Sequence, residues 1–190
     1  KKVASIGTLG IKTISSKVDV KNTTLDPIKL GYHLEKLKKQ NIDNVILEAS
    51  SHGLKQNRLD GLNFNTALFT NLSHDHLDYH KNFKNYLNAK LYLFKKLLSK
   101  NSNIITDIAI PEYKKIKKIS LKKKLNLKTI GFEKGDASIV GHEYINEKQI
   151  IKIKYKNNFF IIETNLIGKI QIKNLLMAMI AAEKSNISFK

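Results

Sequence analysis

The sequence predicts an α/β fold in which a parallel sheet is flanked by helices, with a small antiparallel β extension near residues 137–166. Short β-branched runs alternate with longer helical patterns up to about Gly135, which is typical of parallel sheets wrapped by helices. Three strand patterns then follow one another closely with turns between them, which indicates antiparallel strands. The chain has 190 residues, 42% of them hydrophobic, and can bury a core of its own.

The first helix is marked by its own start signals. Val3–Thr8 predicts a strand before it. Asp26 is a typical N-cap residue and Pro27 suits the first helical position, so we expect a helix from there to about Gln40. Its inward face should carry Ile28, Leu30, His33, Leu34 and Leu37.

The remaining elements continue the alternation. Further parallel strands are predicted at Asn44–Ala49, Thr66–Leu72, Ile104–Ile108 and Leu127–Phe132. Helices are predicted at about Asn82–Leu98 and Asn174–Lys184. The antiparallel extension should comprise Ala137–Gly141, Gln149–Tyr155 and Phe159–Leu166.

The charge of the chain is strongly positive, yet its composition argues against a nucleic-acid partner. The formal net charge of +18 comes from 33 lysines and a single arginine, Arg58. Proteins that read bases and phosphates favour the planar fork of arginine, and most of these lysines are scattered along the chain. No apolar stretch is long enough for membrane insertion. The absence of cysteine agrees with a cytoplasmic location.

Two polar clusters follow predicted strands. Four of the six histidines lie between residues 52 and 80, and several carboxylates share that window. Ligands of open parallel sheets collect beyond the carboxyl ends of strands, which is where residues 48–52 and 74–80 fall. Imidazole and carboxylate groups at such spacing can hold a metal ion. The alternative is that both clusters are polar loops that only cap the strands.

Lys90 lies on the apolar side of a predicted helix. At about 100° per residue it shares a stripe with Tyr86, Leu93 and Leu97. Burial of a lysine lowers the pKa of its amine and leaves a neutral nucleophile. Such an amine can catalyse, or can react with carbon dioxide to give a carbamate, which is a carboxylate-like metal ligand. The alternative is a side chain that follows the stripe out to solvent.

Five motifs, taken together, resemble those of a known enzyme family. Residues 48–54 read EASSHGL, followed by Gln56 and Arg58, and residues 70–80 read TNLSHDHLDYH. Residues 86–94 read YLNAKLYLF, residues 168–176 read GKIQIKNLL, and Thr23 stands next to Thr24. The set resembles the Mur ligases in order and spacing along nearly the whole chain. The threonine pair with Ser-Ser-His favours the MurE branch of that family.

The resemblance implies a P-loop NTPase-like central domain, here residues 1–190, of an ATP-dependent amide ligase of peptidoglycan synthesis. ATP would phosphorylate UDP-N-acetylmuramoyl-L-Ala-D-Glu, and the amine of a diamino acid, meso-diaminopimelate or L-lysine, would attack the acyl phosphate. The implied catalytic residues are Glu48, which would hold the Mg²⁺ shared with ATP, and His76 and carbamylated Lys90, which would serve a second Mg²⁺. The implied ligands of the UDP-sugar dipeptide are Thr23, Thr24, Ser50, Gln56 and Arg58. Asn174 would approach ATP.

The sequence also departs from the family. The G-T-N-G-K-T phosphate loop is not present, nor are the N-terminal UDP-binding domain and the C-terminal domain. Ile170-Gln171 stands where the family has Phe-Asn. Two other enzyme classes remain as alternatives. One is a folylpolyglutamate synthase-like ligase. The other is a dinuclear metal hydrolase, suggested by the pattern His74-x-His76-x-Asp78-x-His80. This pattern is close to the H-x-H-x-D-H pattern of metallo-β-lactamases, from which its last spacing differs by one residue.

We predict that the 190-residue chain alone has no ligase activity, because the phosphate loop and the flanking domains are not in the sequence. Purified chain would be incubated with ATP, Mg²⁺, the UDP-sugar dipeptide and each diamino acid, and ADP and tripeptide product would be separated by chromatography. Neither should exceed the protein-free control. Measurable turnover by the chain would refute this expectation.

Overall fold

The computed structural model describes residues 2–73 and 75–187, and it divides them into two compact units. The first unit contains the described residues of 1–63 and 73–97. The second contains residues 64–72 and the described residues from 98 onward. Sheets with parallel strands, helices and an antiparallel segment make this an α/β fold, which confirms the predicted class. A single domain over residues 1–190 remains a prediction.

The first unit is built on a four-stranded sheet in the order β3-β2-β1-β4. Its strands are β1 (Val3–Gly7), β2 (Gly10–Lys12), β3 (Lys17–Val18) and β4 (Asn44–Leu47). Strands β1 and β4 run parallel, whereas β1, β2 and β3 pair antiparallel. The carboxyl ends of β1 and β4 therefore lie side by side, and the residues that follow these two strands come together.

The helices of the first unit follow this sheet. They are α1 (Pro27–Lys39), α2 (Ser51–Lys55), α3 (Leu77–His80) and α4 (Phe83–Tyr92). As predicted, Asp26 is the N-cap of α1, and its carboxylate accepts a hydrogen bond from the Lys29 amide. Leu30 and Leu37 are buried, but the expectation for Ile28 is wrong, because its side chain is 85% exposed. Ile28 lies one turn before the exposed Tyr32, on the face opposite Leu30.

The helix predicted at 82–98 is shorter than expected. Asn82 caps α4 by accepting a hydrogen bond from the Asn85 amide. After Tyr92 the backbone changes to a π-helical turn, Leu93–Leu97, in which Leu93, Phe94 and Leu97 are buried. The apolar stripe therefore continues beyond the end of the α-helix.

The second unit contains a six-stranded sheet in the order β10-β9-β8-β7-β6-β5. Its strands are β5 (Phe64–Phe69), β6 (Leu98–Asp107), β7 (Asn126–Phe132), β8 (Ala137–Ile145), β9 (Lys148–Tyr155) and β10 (Asn158–Thr164). Strands β5 to β8 are parallel, and β8 to β10 are antiparallel. The antiparallel extension is therefore confirmed, and it continues the parallel sheet without interruption.

Two helices complete the second unit. Helix α5 (Tyr113–Lys123) was not predicted, because lysines fill most of its exposed positions and only Ile116 and Ser120 are buried. Helix α6 (Lys169–Lys184) packs on the sheet through Ile172, Leu176 and Ile180. No helix within the described residues is long and apolar enough to cross a membrane.

Helix α2 lies unusually close to the segment before α1. Ser50 is its N-cap, and the Ser50 hydroxyl accepts a hydrogen bond from the Gly53 amide. A Cβ atom added to Gly53 would lie 2.6 Å from both Cβ and Cγ2 of Thr24. Thr24 is only 1% exposed, so its side chain is packed on all sides and cannot easily move away from an added methyl group. Glycine at position 53 therefore permits a contact that any side chain would block.

We expect Gly53→Ala to lower the free energy of unfolding by about 1–3 kcal/mol, because the added methyl group overpacks this contact. Gly31→Ala is the matched control, since Gly31 lies in α1 with nothing within 4 Å of its added Cβ. The control should gain roughly 0.5–1 kcal/mol, because alanine is the better helix former. Urea unfolding followed by circular dichroism measures both values. A Gly53→Ala protein as stable as wild type would disprove the close contact.

Candidate active site

A cleft of about 300 Å³ opens in the first unit. It is lined by Lys21, Asn22, Thr23, Thr24, Ser50, His52, Gln56, Arg58 and His76. The structure thus brings together all five residues that the resemblance implied as ligands of the UDP-sugar dipeptide. The described residues of this lining include two permanent cations and no carboxylate. The cleft therefore favours an anionic ligand.

Thr24 connects two segments beneath the cleft. Its hydroxyl donates a hydrogen bond to the Glu48 carbonyl oxygen at 2.8 Å and accepts one from the Ser50 amide at 2.9 Å. The residue is buried. Because both functions of the hydroxyl are used inside the protein, Thr24 shapes the cleft, while the more exposed Thr23 offers its hydroxyl nearer the surface.

Arg58 is held at the cleft by backbone partners. Its amide donates to the Gly53 carbonyl oxygen at 2.9 Å, and its Nη1 donates to the Thr24 carbonyl oxygen at 2.7 Å. The side chain is half-buried. Its neighbour Gln56 donates from Nε2 to the Tyr79 hydroxyl at 3.1 Å. The guanidinium group is therefore oriented before any ligand binds.

Glu48 lies at the adjoining carboxyl ends of β1 and β4. Its Oε2 accepts hydrogen bonds from the Thr8 amide at 2.9 Å and the Thr8 hydroxyl at 3.0 Å. The Thr8 and Thr23 hydroxyl oxygens are 2.9 Å apart. A Cβ atom at Gly7 would lie 2.6 Å from the same Glu48 oxygen. Glu48 is thus positioned by β1 and connected through Thr8 to the cleft, although it is not in its lining.

A cluster of aromatic rings joins the cleft to α4. The His52 ring centre lies 5.0 Å from that of His76 and 4.0 Å from that of Tyr79. His80 stacks on Tyr86 with centroids 5.0 Å apart and ring planes 18° apart. The His76 ring meets Tyr86 edge-on at 6.0 Å. The polar segment 75–80, which includes α3, is therefore joined to the site through these ring contacts.

His80 is the buried member of this cluster. Its Nε2 lies 3.0 Å from the Ser51 hydroxyl oxygen. Burial lowers the pKa of His80, and the neighbouring His52 and His76 lower it further. The neutral form of the ring is therefore favoured.

Lys90 lies one turn beyond Tyr86 and is partly buried. Its Nζ is 5.3 Å from the centre of the Tyr86 ring. Burial lowers the pKa of the amine, whereas the Asp75 carboxylate acts in the opposite direction. Tyr86, Leu93 and Leu97 are buried as predicted for the stripe. The surroundings thus increase the neutral, carbon dioxide-reactive form of this lysine.

The imidazole and carboxylate groups of residues 74–80 were predicted to be able to hold a metal ion. Among residues 2–73 and 75–187, no three imidazole or carboxylate groups are arranged to hold a metal ion. Both carboxylate oxygens of Asp75 lie near His76. Oδ1 accepts a hydrogen bond from the His76 amide at 2.8 Å, and Oδ2 lies 3.5 Å from His76 Nε2. A carbamate on Lys90 would add the oxygen ligands that Mg²⁺ prefers. His74, the first residue of the hydrolase pattern, lies outside the described residues.

Asn174 belongs to the second unit, where it is partly buried on α6. The preceding Lys173 forms an ion pair of 2.5 Å with Asp107, which is buried at the end of β6. The Lys173 ammonium also lies 5.4 Å from the centre of the Phe132 ring. The role of Asn174 beside ATP remains a prediction.

Three site residues were missed by the sequence analysis. Thr8 follows β1 as Glu48 follows β4, so the rule that ligands collect at strand ends could have found it. Lys21 and Asn22 precede the threonine pair in a segment without a regular pattern. No sequence signal distinguished Lys21 from the other lysines.

Comparisons with known proteins agree with these features. The chain matches the Mur ligase middle domain family over residues 1–182. It is 37% identical, over 199 aligned positions, to the UDP-N-acetylmuramoyl-L-alanyl-D-glutamate--2,6-diaminopimelate ligase of Wigglesworthia glossinidia brevipalpis, covering 100% of this chain. A solved structure of a ligase with that name superposes with a TM-score of 0.88 at 28% identity, covering 99% of this chain and 38% of the other.

A more distant likeness concerns the fold alone. An FPGS–AMPPCP complex superposes with a TM-score of 0.67 at 10% identity, covering 100% of this chain and 54% of the other. The chain spans 38% of the length of its Wigglesworthia relative. By its match over residues 1–182 and its identity to that ligase, the chain belongs to the Mur ligase middle domain family.

Proposed function

We propose that the full-length protein containing this chain is an ATP-dependent ligase that joins a diamino acid to UDP-N-acetylmuramoyl-L-alanyl-D-glutamate. The observation that carries the proposal is the cleft in which Thr23, Ser50, Gln56 and Arg58 converge. The name of the Wigglesworthia relative supports 2,6-diaminopimelate as the incoming amino acid. The UDP-binding and C-terminal domains expected from the resemblance, and a cytoplasmic location, are part of this proposal.

The charge of the cleft supports such a substrate. A nucleotide diphosphate linked to a peptide that ends in D-Glu carries several negative charges. Lys21 and Arg58 line the cleft as permanent cations. Arg58 is already oriented by the Thr24 carbonyl oxygen, so little conformational entropy is lost when a carboxylate or phosphate binds it. These two residues would bind and orient the anionic substrate.

Glu48 would hold the Mg²⁺ shared with ATP, and His76 with the carbamate of Lys90 would serve a second Mg²⁺. These ions would neutralise the negative charge of ATP and of the carboxylate that accepts its phosphate. Thr8 orients Glu48 through two hydrogen bonds to a single carboxylate oxygen. Burial lowers the pKa of the Lys90 amine, which favours the neutral form that reacts with carbon dioxide. The resemblance assigns Asn174 to ATP binding, and this role is part of the proposal.

The hydrolase alternative loses support from His80. This ring is buried and its Nε2 lies 3.0 Å from the Ser51 hydroxyl oxygen, so this nitrogen is engaged within the protein and is not presented to a metal ion. The folylpolyglutamate synthase alternative rests on likeness of fold at 10% identity. Ser50 and His52 of the Ser-Ser-His block line the cleft together with the threonine pair, which favours the UDP-sugar dipeptide.

The direct test is a ligation assay on the full-length protein. With ATP, the UDP-sugar dipeptide and meso-diaminopimelate it should form ADP and the UDP-sugar tripeptide in equal amounts. Arg58→Lys should raise the KM for the dipeptide roughly tenfold, because the planar fork is lost while the charge stays. Lys84→Arg, an exposed change on α4, is the control. Activity with a folate and glutamate but not with the dipeptide would overturn the assignment.

Lys90 should carry a carbamate near neutral pH. Burial lowers the pKa of its amine. Near neutral pH, the neutral fraction of the Lys90 amine is therefore larger than that of an exposed lysine. After equilibration with ¹³C-bicarbonate, the ¹³C NMR spectrum should contain a carbamate carbonyl signal. Lys90→Gln should remove the signal, and the control Lys84→Gln should retain it. A signal that survives Lys90→Gln would contradict the assignment.

A further inference from the structure

His80 occupies a junction between the two helices of the site. Its Nε2 lies 3.0 Å from the hydroxyl oxygen of Ser51, the first residue of α2. Its ring stacks on Tyr86 of α4, and its carbonyl oxygen accepts a hydrogen bond from the Asn85 side chain. Only 3% of His80 is exposed, so it does not take part in the cleft itself.

The two helices carry different parts of the proposed machinery. Helix α2 begins after Ser50 and carries His52, both in the cleft lining. Helix α4 carries Lys90, one turn from Tyr86. The His80 amide also donates to the His76 carbonyl oxygen at 3.0 Å. The buried ring is thus bonded to α2 and stacked on α4, while the His80 backbone is bonded to His76 and to the Asn85 side chain.

We propose that His80 is a positioning residue whose hydrogen bond to Ser51 sets the distance between the substrate side of the site on α2 and the Lys90 side on α4. The inference rests on the proposed ligase function. Stacking on Tyr86 fixes the plane of the ring, and the Ser51 hydroxyl fixes its direction. Without the hydrogen bond, α2 keeps its own N-cap at Ser50 but loses its polar connection to α4 through His80.

Variants of the full-length protein can separate the hydrogen bond from the stacking. His80→Phe keeps an aromatic ring against Tyr86 but cannot bond to Ser51. Ser51→Ala removes the same bond from the other side. His80→Gln keeps a polar nitrogen at a similar reach and loses the ring. His33→Phe is the control, since His33 is a partly buried histidine on α1 outside the site.

In folded protein, His80→Phe and Ser51→Ala should each lower kcat about tenfold or more, because small misplacements of reacting groups are costly. The KM for the UDP-sugar dipeptide should change less than about threefold, since the cleft lining is intact. The kcat of the double variant should lie no more than about threefold below that of either single variant, because both substitutions remove the same interaction. His80→Gln should retain kcat within about threefold of wild type if the hydrogen bond is what matters.

A wild-type kcat in His80→Phe, or a double variant whose loss is the product of the two single losses, would overturn the proposal. An inactive wild-type protein would instead count against the ligase function. The positioning role then has a second readout, hydrogen–deuterium exchange of the peptides covering residues 51–56 and 83–92. Exchange in both should rise in His80→Phe and Ser51→Ala and stay unchanged in His33→Phe. Unchanged exchange in the first two variants would refute it.

Discussion

The Thr24 hydroxyl donates to the Glu48 carbonyl oxygen and accepts from the Ser50 amide, and the geometry of the cleft depends on this pair of hydrogen bonds. They join the segment before α1 to the end of β4. Arg58 then bonds to the Thr24 carbonyl oxygen. Gly53 allows α2 to approach Thr24 within the distance that these bonds require. One buried side chain thus sets the positions of residues that are far apart in sequence.

The electrostatic character of the site follows from this arrangement. Cations line the cleft, whereas the Glu48 carboxylate stands beside it and is held by Thr8. Lys90 is partly buried against Tyr86, and burial shifts the pKa of its amine downward. A cationic lysine would add to the positive charge of the unit, while a carbamate would reverse its contribution. In the proposed ligase, the charge at this position would therefore depend on whether Lys90 carries a carbamate.

Local periodicity predicted the α/β class and the positions of most strands along the chain. The resemblance to the Mur ligases, and not periodicity, singled out Thr23, Thr24, Ser50, Gln56 and Arg58, which the structure places in one cleft. The sequence did not predict the π-helical turn after Tyr92 or the exposure of Ile28, which depend on what the helices pack against. Lysine-rich α5 was missed because its pattern contains only two buried residues. His80 was treated as one of several candidate ligands, since its bond to Ser51 exists only in three dimensions.

The organising role of Thr24 is tested most directly by calorimetric titration of the full-length protein with UDP-N-acetylmuramoyl-L-alanyl-D-glutamate. Thr24→Val keeps the shape of the side chain but leaves the Ser50 amide without its partner, which costs about 1–3 kcal/mol for a buried group. We expect its Kd to rise about tenfold, while Thr24→Ser, which keeps the hydroxyl, stays within about threefold of wild type. Wild-type affinity in folded Thr24→Val would contradict the account.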